Sequence, residues 1–176
     1  MPGQAEIVDL IGSLPWLERA AFAVGTAERI IRELRRLGVD GLDELPVIEA
    51  AQAFAWSEMA RANLGNPQTR HWSQRLDEEV PGADDLEFRY QILNATSAVS
   101  SGLGALRDEA RSARLAAGAA DEGSHAMTGL YRQGSERERG WQAAAVGKLK
   151  ANHGRPVTPA LFADIPEYER GPLIEE

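Results

Sequence analysis

The stretch from Pro15 to Gly38, PWLERAAFAVGTAERIIRELRRLG, has the pattern of an amphipathic helix. Its apolar side chains recur every three or four residues, at Leu17, Ala20, Val24, Ala27, Ile31 and Leu34. This spacing places them on one face, because an α-helix repeats about every 3.6 residues. Proline is tolerated in a first helical turn, and glycine commonly follows a last one. The stretch therefore predicts a helix from Pro15 to Leu37.

The same helical spacing recurs along most of the chain, whereas strand-type runs of Val, Ile, Thr and Tyr are nearly absent. Further helices are predicted over 4–12, 43–65, 66–80, 84–103, 107–132 and 135–152, with a short one near 159–164. We expect residues 85–103 to form the central helix, because small or apolar residues occupy more than one of its faces. The chain is therefore predicted to be all-α. A single-domain bundle of six or seven helices would cover 1–153, and a proline-rich tail over 154–176 would pack partly on it.

Local signals mark where several of these helices begin. Asp84 with Glu87 and Ser135 with Glu138 form capping-box patterns, in which the first residue caps a helix and the second reaches back to it. Asn66, with Pro67 after it, is in a suitable position to cap the start of the helix that follows. Glycines interrupt two of the later helices and are expected to weaken them, at Gly102, Gly104, Gly118 and Gly123.

The charge and cysteine content exclude several functional classes. Lys and Arg total 19 and Asp and Glu total 27, so the formal net charge is −8, which argues against a protein that coats nucleic acid. The chain has no cysteine, which removes disulfides, iron–sulfur clusters and thiolate zinc sites. The first residues lack the basic segment of a signal peptide, and no run approaches ~18 apolar residues. We expect a cytoplasmic protein with no membrane or nucleic-acid partner.

Glu28 is the most informative charged residue of the first long helix. It lies close to the apolar stripe, between Val24 and Ile31. A carboxylate there needs a partner, because burying an unpaired charge is costly. Arg61 or Arg89, each on another helix, could supply one. A structural ion pair and a carboxylate within a pocket both stay open at this point.

Other clusters have simple structural explanations. The densest acidic stretch holds Asp77, Glu78, Glu79, Asp84, Asp85 and Glu87. Acidic residues at the start of a helix favour its positive end, although a cation or a protein partner is an alternative. Glu122 and His125 form an E-x-x-H pair, but a di-iron bundle needs two such pairs and two further glutamates. No metal and no cofactor are therefore predicted.

Three stretches, taken in order, resemble a known bacterial family. They are LPWLERAAFAVGTAERI, which ends in the pair Glu28 and Arg29, RLDEEVPGADDLEFRYQILNATSAVSSGL, which contains Pro81, Asp84 and Asp85, and SERERGWQ. The set is similar to the YjaG-like family (domain of unknown function 416) over roughly residues 10–150. Asn94 and the segment 118–129 depart from that family's pattern. The resemblance implies an all-helical bundle and no established chemistry.

Three hypotheses for function follow. The first is a non-catalytic protein-interaction module, such as an immunity or antitoxin-like protein that covers a basic toxin. The second is a small-molecule-binding protein or enzyme with a pocket between helices near Glu28. The third is a structural homo-oligomer, such as a homodimer, in which an apolar helix face is buried between copies. An enzyme is the less favoured of these, and no catalytic residue is assigned. The candidate binding residues are Glu28, Arg29, Asp84 and Asp85.

Overall fold

A computed structural model describes residues 2–38, 43–80 and 88–167 of the chain. Its helices are α1 (Gln4–Gly12), α2 (Trp16–Arg36), α3 (Leu45–Ala60), α4 (Gln68–Glu79), α5 (Arg89–Arg107), α6 (Glu109–Thr128), α7 (Gly134–Lys150) and a short 3₁₀ helix (Pro159–Phe162). The seven α-helices within these ranges confirm the predicted all-α, single-domain bundle. No helix in this part of the chain is long and apolar enough to cross a membrane.

Helices α2 and α5 share the centre of the bundle. α2 packs against α1, α3, α5, α6 and α7, and most of its residues are buried. α5, which was expected to be the central helix, packs against α2, α3, α4 and α6. α2 accommodates more neighbours because its buried face is rich in alanine and also contains a glycine, and small side chains let helix axes approach closely. The core is therefore assembled around a pair of helices.

Three glycines lie where helices touch. A Cβ on Gly102 would lie 2.9 Å from Val24 Cγ2, and one on Gly123 would lie 2.7 Å from Thr26 Cγ2. A Cβ on Gly104 would lie 2.9 Å from a side-chain atom of α6. We expected these glycines to weaken their helices, but α5 and α6 continue through them. The glycines instead permit close contacts between three pairs of helices. Gly102 lets α5 approach α2, Gly104 lets α5 approach α6, and Gly123 lets α6 approach α2.

The helix starts differ from the predicted caps. Pro67 rather than Asn66 occupies the N-cap position of α4, and Asn66 Oδ1, one residue earlier, accepts a hydrogen bond from the backbone N–H of Gln68 at 2.9 Å. The predicted cap by Asp84 and Glu87 lies outside the described residues. The predicted capping role of Glu138 is wrong: α7 begins at Gly134, and the Glu138 carboxylate is buried against α2.

The described part of the tail, residues 154–167, crosses the bundle. The backbone N–H of Val157 donates to the carbonyl of Met59 at 3.1 Å, which joins the tail to the end of α3. Phe162 is buried against the bundle. On α7, the Lys148 ammonium donates a hydrogen bond to Asp164 and lowers the pKa of that carboxyl below its ordinary value. The tail thereby reaches α2, α3 and α7 and forms one wall of the site described next.

Candidate functional site

A cleft opens to solvent where α2, α3, α7 and the tail meet. Its lining residues are Gly25, Glu28, Arg29, Arg32, Trp56, Trp141, Pro159, Phe162 and Glu167. The space between these residues is about 280 Å³ when open solvent is counted, and the centre of a water-sized sphere can occupy only about 20 Å³ of it. Preformed ligand pockets commonly enclose about 300–1,000 Å³. The cleft is therefore a shallow opening that is much smaller than such a pocket.

Three aromatic rings form the apolar part of the cleft. Phe162 lies between the two tryptophans, with ring centroids 6.2 Å from Trp56 and 5.8 Å from Trp141. These spacings are in the range of favourable aromatic pairs, about 4.5–7 Å. The Phe162 ring rests on Gly25 of α2, where an added Cβ would lie 3.0 Å from Cε2. The absence of a side chain at this position lets the tail ring reach the backbone of α2.

Arg29 provides a buried positive charge beside these rings. Its side chain is 6% exposed, and its Cζ lies 4.2 Å from the centroid of the Trp141 ring. Nε and Nη2 donate to the fully buried carboxylate of Glu138 at 3.0–3.2 Å. Nη1 donates to both oxygens of Glu167 at 3.1 and 3.2 Å. The planar guanidinium is thus held between a carboxylate of α7 and a carboxylate of the tail, against an aromatic face.

Glu28 precedes Arg29 on α2 and lines the part of the cleft nearer to α3. Its Oε1 accepts from Arg32 Nε at 3.3 Å, and its Oε2 accepts from Trp56 Nε1 at 3.1 Å and from Gln52 Nε2 at 3.3 Å. The carboxylate is 20% exposed. One partner, Arg32, is on α2 itself, and the other two are on α3. Gln52 and Trp56 can both reach Glu28 because residues four apart lie on the same face of a helix.

The expected partners of Glu28 were therefore wrong. Arg61 instead pairs with Glu58, with Nη2 to Oε1 at 3.1 Å, and Arg89 begins α5. Of the two alternatives left open for Glu28, the structure places its carboxylate in the cleft, and a buried ion pair is made by its neighbour in sequence. Arg29, one residue on, is rotated by about 100° around the helix axis and faces α7 rather than α3.

Two of the four predicted binding residues come together in the cleft, namely Glu28 and Arg29. Asp84 and Asp85 lie outside the described residues. Sequence reasoning missed the two carboxylates that hold Arg29. A signal for the first was present, since Glu138 and Trp141 are three residues apart and so share a face of α7.

No group of three or more His, Asp or Glu residues that could hold a metal ion occurs within the described ranges. Comparisons of the chain with family models, curated proteins and solved structures find no match. The resemblance to the YjaG-like family thus stays a prediction.

Proposed function

We propose that the protein binds a small organic molecule in this cleft. The observation that supports the proposal is the convergence of aromatic and charged side chains from α2, α3, α7 and the tail on one opening to solvent. Ligand sites typically combine apolar, aromatic walls with a few fixed polar groups. Here the walls are the three rings, and the fixed groups are Glu28 and Arg29. The cleft is too shallow for a ligand the size of a nucleotide, and a single ring would lie in its open mouth or displace part of the tail.

The cleft favours this hypothesis over a protein-interaction module. The sequence hypothesis calls for a deep polar pocket at Glu28, and the opening there is shallow and partly aromatic, so its support for ligand binding comes from the side chains that line it. Among the described residues, the exposed large hydrophobic side chains are Val8 on α1 and Tyr90 on α5. These two residues lie on different helices and do not by themselves define an apolar docking surface. An immunity or antitoxin-like role, a homodimer and a cytoplasmic location stay predictions from the sequence.

The proposal is tested with single-ring probes of three charges: benzamide, benzoate and benzylamine. Binding is followed by the change in tryptophan fluorescence. Because Trp56 and Trp141 line the cleft, we expect a bound probe to alter their emission. Trp56→Phe and Trp141→Phe should each remove part of the probe-dependent change.

Trp72→Phe is the matched control, because Trp72 lies on α4 and packs beside Phe54, outside the cleft. It should leave the probe-dependent change intact. The proposal is wrong if none of the three probes binds. It is also wrong if the signal persists in both cleft variants and disappears in Trp72→Phe.

A further inference from the structure

The two carboxylates that hold Arg29 differ in how firmly they are fixed. Glu138 is fully buried, and its two oxygens accept from Nε and Nη2 of Arg29. Glu167 is 46% exposed, and both of its oxygens accept from the single nitrogen Nη1. A buried, bidentate pair fixes the orientation of the guanidinium, whereas an exposed pair competes with water and is weak. Glu138 therefore acts as a positioning residue, and Glu167 is the exchangeable partner.

Glu167 belongs to the tail, whereas the other charged groups around Arg29 lie on α2 and α7. It comes five residues after Phe162, which rests in the aromatic part of the cleft. The tail thus places an aromatic ring and a carboxylate at the same opening. An aromatic ring and a carboxylate are also the two groups of a small aromatic acid, so the tail occupies the opening with the same groups as such a ligand would.

We propose that the ligand of the cleft is a small carboxylate with a flat apolar body, and that its carboxylate replaces Glu167 on Arg29. The inference rests on the proposed function and adds the chemical class of the ligand. The exchange conserves charge, because one carboxylate leaves the guanidinium as another arrives. The buried pair with Glu138 is untouched, so no buried charge loses its partner during the exchange. The apolar body of the ligand packs on the rings beside Arg29.

A cationic ligand fits the same cleft less well. The carboxylate that could receive it, Glu28, already accepts hydrogen bonds from Arg32, Gln52 and Trp56. A cation would have to share that carboxylate with the Arg32 guanidinium, and like charges held close together repel each other. An incoming carboxylate meets instead a guanidinium that binds two carboxylates, and it would replace the exposed one, Glu167.

The test compares benzoate with the neutral benzamide in the full chain. In Glu167→Gln the internal carboxylate no longer competes, and we expect benzoate to bind up to about fivefold more tightly, the range set by an exposed ion pair. Benzamide affinity should stay unchanged. The matched control is Glu78→Gln on α4, which also removes one exposed negative charge but lies outside the cleft. It should leave both affinities unchanged.

A second variant, Arg29→Lys, keeps the positive charge beside Glu138 but loses the planar fork. It should weaken benzoate binding about tenfold, the effect of losing a hydrogen bond to a charged group, and weaken benzamide binding less, because benzamide has no charge to pair with residue 29. Binding of benzamide with equal benzoate affinity in wild type and Glu167→Gln would overturn the carboxylate assignment and leave the cleft as a binding site. Failure of every probe, in wild type and variants alike, would reject the cleft itself and the ligand class with it.

Discussion

At the scale of single residues, buried carboxylates hold parts of the bundle together, over a short distance in sequence for Glu58 and over long distances for three others. Glu18, Glu33, Glu58 and Glu138 are all buried. Glu18, in the first turn of α2, accepts from the backbone N–H of Gly154 at 2.6 Å and so ties the start of the tail to the bundle. A buried charge is tolerated only where hydrogen bonds or an opposite charge compensate its desolvation. These glutamates therefore fix where loops and helices meet.

The pair between Arg29 and Glu138 has a measurable consequence for stability. In Glu138→Ala the guanidinium of Arg29 stays buried without its main counter-charge, and we expect a loss of about 3–5 kcal/mol in the free energy of unfolding. Glu136→Ala is the control, because Glu136 is exposed on the same helix. It should change stability by about 0.5 kcal/mol or less. Both values come from urea denaturation.

A double variant separates the pair's net contribution from the cost of leaving one charge alone. Arg29→Met with Glu138→Leu removes both charges, and apolar replacements of buried ion pairs are often neutral or stabilising. The double variant should therefore be more stable than Glu138→Ala. If the urea midpoint of Glu138→Ala equals that of the wild type, the buried guanidinium of Arg29 does not need the Glu138 carboxylate for its stabilisation.

The sequence predicts which residues line this site better than it predicts which partners those residues contact. Periodicity places Glu28 beside the apolar stripe of α2, and both Glu28 and Arg29 do line the cleft. Their partners depend on how α2 crosses α3 and α7, which a local pattern does not contain. Glu138 fits a capping box by its spacing from Ser135, and the same spacing gives no sign that its side chain is buried.

At the scale of helices, boundaries follow closely from periodicity and from proline and glycine. α2 was predicted over 15–37 and extends over Trp16–Arg36, and the short helix near 159–164 is a 3₁₀ turn over Pro159–Phe162. What local reasoning missed is the role of glycine inside α5 and α6. Helix propensity counts a glycine as a weakness, whereas tertiary contact makes its missing side chain a requirement of packing.

The glycine contacts predict opposite effects of one substitution at two positions. Gly123→Ala places a Cβ 2.7 Å from Thr26 Cγ2, between α6 and α2, and should destabilise the protein by about 1–3 kcal/mol through overpacking. Gly147→Ala, within α7, meets no atom within 4 Å. It should stabilise the protein by up to about 1 kcal/mol, because alanine favours the helix.

Thermal unfolding of the two alanine variants provides the measurement. We expect the melting temperature to fall for Gly123→Ala and to rise for Gly147→Ala. If the melting temperature rises for both variants, the helix propensity of alanine outweighs the close contact at position 123, and α2 and α6 can move apart to accept the added Cβ.

At the scale of the whole molecule, the tail completes the structure around the cleft. It bridges α3 and α7 through Val157 and Asp164, and it places Phe162 and Glu167 in the opening. A proline-rich segment has no helical periodicity, so its course over the bundle follows from the surface that receives it. Gly25 is the decisive position, because its bare backbone accepts the ring of Phe162. The sequence predicted partial packing of this tail and contained no local signal for this contact.

The tail should therefore contribute to the stability of the whole bundle. Phe162 is 9% exposed and contacts Gly25, so Phe162→Ala should lower the free energy of unfolding by about 3–5 kcal/mol. The emission of the native protein should shift to longer wavelength, because water reaches Trp56 and Trp141 when the ring between them is removed. Tyr90→Ala removes an aromatic ring that is 75% exposed and should change neither stability nor emission by much. Equal urea midpoints for Phe162→Ala and wild type would mean that the bundle is stable without this contact and that the tail is only loosely associated with it.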